Sequence, residues 1–180
     1  MIYIVLFRGI NVGGRALVSM SDLCDVAAAA GCAGARTLLQ SGNLVCQSGL
    51  RTSAQLEERL SAEAKKRLTL QPDILARSAG EWKDIVAGNP FREEAERDPS
   101  HLLVMFLKDS PGPAAVKALQ AAIAGTEVMR VRGRHAYIVY PDGIGRSRLT
   151  GTLIEKKLST RGTGRNWNTV VKLRALADQF

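Results

Sequence analysis

Two polar, glycine-bearing segments near the N-terminus hold the residue types best suited to gripping an anion: Arg8-Gly9-Ile10-Asn11-Val12-Gly13-Gly14-Arg15 and Gln40-Ser41-Gly42-Asn43. Glycine lets a backbone approach a ligand closely, arginine attracts negative charge, and Asn, Gln and Ser supply neutral hydrogen bonds. The chemistry expected of Arg8, Asn11, Gly13, Gly14, Arg15, Gln40, Ser41 and Asn43 is therefore recognition of a small anionic or phosphorylated ligand. The competing reading is purely conformational: the glycines satisfy turn geometry, and Asn11 and Asn43 bond to nearby backbone.

A second basic, glycine-rich constellation joins Gly145-Arg146-Ser147-Arg148 to the stretch from Thr160 to Thr169. It has the chemistry of a phosphate loop without the spacing of one, since neither the Gly-x-x-x-x-Gly-Lys-Ser/Thr nor the Gly-x-Gly-x-x-Gly pattern occurs. Arg161, Arg165, Asn166 and Trp167 are candidates to complete the anion site from this half of the chain. The alternative is that Trp167 and the arginines dock a final helix, with Asn166 or Asn168 as its cap.

A third stretch, Arg132 to Tyr140, resembles the strand on which RNA-recognition motifs place their stacking aromatics, although a basic residue replaces the first aromatic. With Arg130, Arg132, Arg134, Tyr137, Tyr140, Arg146 and Arg148 it makes a nucleic-acid-binding module the main alternative to a small-ligand site. A protein-interaction surface on the basic half is the third reading. Whether the chain is an enzyme stays open. It has only two histidines and no Gly-x-Ser-x-Gly, so acyl transfer has no support and no catalytic residue emerges. The Glu57/Glu58 and Glu93/Glu94/Glu96 clusters read as solvated helix or connector surfaces. Cys24, Cys32 and Cys46 lack a Cys-x-x-Cys pair, and with His101 and His135 they suggest neither a disulfide framework nor a metal site. No cofactor is implied.

The elements that must position these residues follow from periodicity. Ile2–Phe7 is apolar at every position and reads as a strand buried on both faces. A helix over residues 21–30, a hairpin around Ser41-Gly42-Asn43 with Gly42 and Asn43 as positive-φ candidates, an amphipathic helix from Thr52/Ser53 to Leu68 and a strand at 73–77 follow it. The order β-α-β-β-α-β is ferredoxin-like. A short helix at 79–87 and a charged connector at 92–99 lead into a second dense apolar strand at 101–108. Beyond it come a helix at 113–124, a hairpin at 127–140, a helix at 150–158 and a last helix at 167–177.

The expected fold is α+β, with antiparallel sheets in two ferredoxin-like, βαββα-type halves. The second half is read as degenerate, with an extra C-terminal helix where its fourth strand belongs. The expected domains are 1–78, a helical connector over 79–99, and 100–180. In such a half the first two strands run parallel with the third between them, which brings the loop after the first strand and the first hairpin turn to one edge, about 10 Å apart. Because both leading strands are apolar on two faces, the halves are expected to pack together or a dimer to form; monomer and homodimer both remain open.

Composition fits a folded protein of 180 residues with 46% hydrophobic and 23% charged residues. The charge of +8 is confined to the second half: residues 1–100 hold 12 Lys/Arg and 12 Asp/Glu, whereas residues 101–180 hold 13 and 5. Such a surface suits an anionic partner. No apolar stretch approaches the roughly 20 residues of a membrane helix and no signal-peptide pattern precedes Ile2, so the expectation is a cytoplasmic protein without a membrane partner.

Four separated strings, Arg8-Gly9-Ile10-Asn11-Val12-Gly13-Gly14, Gln40-Ser41-Gly42-Asn43, Asn89-Pro90-Phe91 and the run from Thr163 to Leu173, resemble the bacterial family catalogued as domain of unknown function 1697. The resemblance covers nearly the whole chain and implies two ferredoxin-like units; it implies no established activity, substrate or cofactor. The family commonly follows the first loop with a basic residue and Val-Pro-Met. Here Ala16-Leu17-Val18-Ser19-Met20 puts Ser in place of Pro.

Overall fold

A computed structural model of the chain describes residues 1–11 and 18–180. It divides into two compact units, Met1–Ala87 with Lys172–Phe180, and Gly88–Val171.

The first unit runs β1 (Ile2–Arg8), α1 (Met20–Ala29), β2 (Ala33–Leu38), β3 (Asn43–Gln47), α2 (Ser53–Arg67), β4 (Asp73–Ser78) and α3 (Ala79–Ala87). Its four strands lie in the order β2-β3-β1-β4, with every neighbouring pair antiparallel. β1 therefore sits inside the sheet, which is why Tyr3 to Phe7 are all buried. Tyr3, Val5 and Phe7 join Leu44, Cys46, Ile74 and Ala76 in a core under Leu23 and Val26 of α1 and Leu56 and Leu60 of α2. α3, whose Trp82 and Ile85 are buried, packs against β1 and β4.

The second unit opens with α4 (Arg92–Arg97), a short helix in the stretch read as a charged connector. It then runs β5 (Leu102–Leu107), α5 (Pro113–Ala121), β6 (Val128–Arg132), β7 (His135–Val139), α6 (Gly151–Leu158), β8 (Gly162–Asn166) and the start of α7 (Trp167–Ala177), whose residues from Lys172 group with the first unit. The strand order, β6-β7-β5-β8, repeats that of the first unit, again all antiparallel.

The second half is thus not degenerate in its strands: β8 is the fourth strand that the sequence reading left out. Two of its five residues are glycines, whose absent side chains hid it from an apolar-periodicity reading. Gly162 is needed there, because a Cβ would lie 2.8 Å from Phe106 O and from Met105 Cε, and Gly164 fits closely, a Cβ there standing 3.0 Å from Leu103 Cδ2. Nor is α7 an extra element. Like α3 it begins on the residue after the fourth strand, so each half is βαββαβα.

Matching details mark the two halves. Ser78 and Glu81 form a reciprocal capping box at the start of α3, with Glu81 N–H donating to Ser78 Oγ at 3.1 Å and Ser78 N–H to Glu81 Oε2 at 2.8 Å. Asn166 caps α7 by accepting from Thr169 N–H at 3.0 Å. The outer edge of each sheet is blunted by a helix carboxylate: Ala76 N–H donates to Glu57 Oε1 at 2.8 Å, and Gly162 N–H to Glu155 Oε1 at 2.7 Å. Glu57 is buried, which corrects its assignment to a solvated helix face. Among the described residues no helix is long and apolar enough to cross a membrane.

Candidate functional site

The loop after β1 and the β2–β3 turn meet at one rim of the first sheet, closer than strand spacing alone requires. Asn11 makes the junction. Its Nδ2 donates to Gln40 O at 2.9 Å and to Val18 O at 3.0 Å, while its Oδ1 accepts from Val18 N–H at 2.8 Å. One side chain thus closes the first loop on itself and ties it to the hairpin. Phe7 N–H donates to Gly42 O at 2.8 Å beneath this contact.

The backbone of the rim is unusually constrained. Gly9 (φ 77°), Asn11 (φ 55°), Leu39 (φ 60°) and Gly42 (φ 74°) all occupy the left-handed region. Gly42 has no alternative, since a Cβ there would stand 2.8 Å from both Phe7 O and Ile10 Cδ1. Leu39, rather than the expected Asn43, is the second turn residue with positive φ. A γ-branched, exposed side chain in that conformation is costly, and such strain concentrates where a chain serves recognition.

The candidate residues separate by what holds them. Arg8 pairs with Asp73, Nη1 to Oδ2 at 3.3 Å, with both side chains about one-third exposed at 36% and 30%. Gln40 and Ser41 are exposed at the turn. Asn43 is fully buried, donating to Leu38 O and to Ser41 Oγ, each at 2.9 Å, so it shapes the turn instead of facing solvent. Gly13, Gly14 and Arg15 lie outside the described residues. The N-terminus of α1 is occupied by a capping box. Ser19 Oγ accepts from Asp22 N–H at 3.0 Å, and the Asp22 carboxylate accepts from Ser19 N–H at 3.0 Å. The serine that departs from the family pattern is therefore the cap itself, a role proline could not fill.

The second constellation does not stay together. Register pairs Leu107 with Gly162 at one end of β5 and Leu103 with Asn166 at the other, while Leu102 pairs with Val139. Arg161 accordingly sits at the edge where β5 ends, and Arg146 and Arg148, in the segment after β7, at the opposite edge. Arg165 is buried, its Nη1 donating to Thr163 Oγ1 at 2.7 Å and Gly164 O at 2.8 Å, and burial lowers its pKa to about 10. Asn166 is a helix cap and Trp167 is buried. These three residues serve the β8–α7 junction.

The tyrosines of the RNA-motif-like stretch are also inside. Tyr137 is fully buried, with His135 Nε2 3.1 Å from its hydroxyl, and burial raises its pKa to about 12 despite the nearby Arg132. Tyr140 donates to Leu149 O at 3.0 Å. Neither ring is presented for base stacking.

Sequence reasoning missed a pocket of about 220 Å³ in the second unit, between the α5–β6 and β7–α6 connections, with Thr126, Glu127, Asp142, Arg146 and Arg148 in its walls. The sequence signals for it are the basic Gly145-Arg146-Ser147-Arg148 segment, which was joined to the wrong partner stretch, and the length of those two connections.

A search of curated proteins found no match to the chain. The fold has a solved counterpart: a conserved bacterial protein from Streptococcus pneumoniae matches with a TM-score of 0.76 at 21% identity, covering 98% of each chain. Residues 1–137 match the family described as "Protein of unknown function (DUF1697)". That span includes the rim, the hairpin and most of both sheets, and the chain belongs to this family of unknown function.

Proposed function

We propose that this protein binds a small anionic, phosphorylated ligand at the rim of the first unit, in the cytoplasm, acting as a monomer or homodimer. The observation that carries the reading is the Asn11 clasp, which holds the first loop against Gln40 while four left-handed residues fix the surrounding backbone. Such expenditure on an exposed turn is what a preorganised binding edge needs. Arg8 supplies the charge, shared with Asp73 in the unliganded protein, and Gln40 and Ser41 supply neutral contacts. Gly13, Gly14 and Arg15 belong to this reading on their sequence alone. Arg161, Arg165, Asn166 and Trp167 are not needed by this reading.

Thermal-shift and calorimetric screening against phosphorylated metabolites tests it. A ligand at 100 times its Kd stabilises by about 2.7 kcal/mol, an easily read rise in Tm. Arg8→Ala should remove that rise, and Asp73→Asn, which removes the carboxylate charge beside Arg8, should strengthen binding. A broad panel without a hit, or hits indifferent to both substitutions, would overturn the proposal.

A further inference from the structure

The two units provide an internal comparison, since the same seven elements occur twice and differences in their connections stand out. At the edge opposite the rim, the first unit joins α1 to β2 through Ala30–Cys32 and β3 to α2 through Ser48–Thr52, three and five residues. The second unit joins α5 to β6 through Ala122–Glu127 and β7 to α6 through Tyr140–Thr150, six and eleven residues. Both connections have grown at the same edge, and the 220 Å³ pocket lies between them. The fold does not need this added length, because its duplicate closes without it.

The two connections are fastened by matched clasps. Thr126 Oγ1 donates to Asp142 Oδ2 at 2.8 Å, and Ser147 Oγ donates to Glu127 Oε1 while accepting from Leu149 N–H at 2.9 Å. Each clasp uses one oxygen of a carboxylate and leaves the other as an acceptor. Arg146 and Arg148, on either side of Ser147, reach the same pocket and have no side-chain partner among the described residues. Two unclaimed guanidiniums beside two half-used carboxylates describe an occupant with an anionic head and hydroxyl donors. Arginine's fork of N–H donors fits phosphate oxygens. At roughly 30 Å³ per water-sized group, the volume holds about seven heavy atoms, enough for a phosphate group and the hydroxyl nearest it.

We propose that this pocket is a second ligand site, distinct from the rim, and that it takes a small polyol phosphate. The phosphate meets Arg146 and Arg148, and the hydroxyls donate to Asp142 and Glu127.

Calorimetric titration with glycerol 3-phosphate, ribose 5-phosphate, inorganic phosphate and glycerol tests the assignment in the full chain. At least one of the two phosphate esters should bind more tightly than inorganic phosphate, and glycerol should not bind. Arg146→Ala and Arg148→Ala should each weaken the ester at least tenfold, with unchanged melting temperatures because both side chains are exposed. Arg130→Ala, which removes a basic residue outside the pocket, and Arg8→Ala should leave it unaltered. Ester binding that survives the Arg146→Ala/Arg148→Ala double variant overturns the site. If that binding is instead lost in Arg8→Ala, it belongs to the rim. No binding of either ester at millimolar concentration, or binding no tighter than that of inorganic phosphate, also overturns it.

Discussion

Arg77 and Arg165 occupy the same place in the two halves: each is the residue before the cap of the helix that follows a fourth strand. Each folds one guanidinium nitrogen back onto the preceding carbonyl, Ala76 O and Gly164 O, both at 2.8 Å. Arg77 also lies 4.0 Å from the carboxylate of Glu57, and both side chains are nearly inaccessible, at 3% and 5% exposure. Breaking a buried pair from one side leaves an uncompensated charge. Arg77→Ala should therefore lower stability by about 3 kcal/mol. In a urea-denaturation cycle, Arg77→Met combined with Glu57→Gln should cost less than the sum of the single changes, since the amide keeps the contact to Ala76 N–H without the charge.

Asn11 makes a sharper case, because its conformation and its side chain can be tested apart. Asn11→Gly tolerates the φ of 55° yet loses three hydrogen bonds, and should cost about 1–2 kcal/mol in chemical denaturation. Asn11→Asp keeps the acceptor for Val18 N–H but turns a carboxylate toward two carbonyl oxygens, so it should be the more destabilising. Equal losses for the two variants would mean that the amide donors are unimportant.

Gly42→Ala should cost on the order of 3 kcal/mol, because the added methyl meets Phe7 O and the φ of 74° disfavours it independently. Gly9→Ala is the matched control, with a φ of 77° and nothing within 4 Å of its Cβ. The difference between their melting temperatures isolates the steric part.

Alkaline titration reads the tyrosines. All three, Tyr3, Tyr137 and Tyr140, are raised above 10, chiefly by burial. Unfolded tyrosines ionise near pH 10 and the folded ones later, so in that window the unfolded chain holds fewer protons and stability falls as pH rises. Below pH 10 the contribution is fully present. For Tyr137, with its pKa near 12, the loss amounts to on the order of 2 kcal/mol. Absorbance at 295 nm should stay flat through pH 10 and then rise together with loss of circular dichroism, and Tyr137→Phe should shift the transition to higher pH.

How much of this was legible in the residues depended on where side chains carry the signal. β1 and β5 announced themselves through unbroken apolar runs, and α2 through Leu56, Leu60 and Ala64 at helical spacing. That the loop after β1 and the first hairpin turn share one edge followed from strand order, whereas the direct bond from Asn11 to Gln40 did not. β8 was invisible because close packing on β5 demands glycine at 162 and a second glycine follows at 164, and patterning counts both as loop. Glu57 was misread for a related reason: a buried charged residue that bonds to backbone looks, in sequence, like a surface one. Arg165 and Asn166 carried two readings in sequence, ligand contact or docking of the last helix, and their hydrogen bonds at the β8–α7 junction match the second. The pocket beside Arg146 showed only its basic segment, Gly145 to Arg148, because its other wall comes from the α5–β6 connection, whose length stands out only against the other half.

The grouping of Lys172–Phe180 with Met1–Ala87 has a consequence for folding. Arg174 donates to Ala79 O at 3.3 Å across a separation of 95 residues, and the ring of Phe180 lies 4.9 Å from the Arg36 guanidinium, so the first unit takes contacts from residues far along the sequence. Contacts of such separation are slow to form, so the first unit should complete its packing only after the second has brought Lys172–Phe180 back to it.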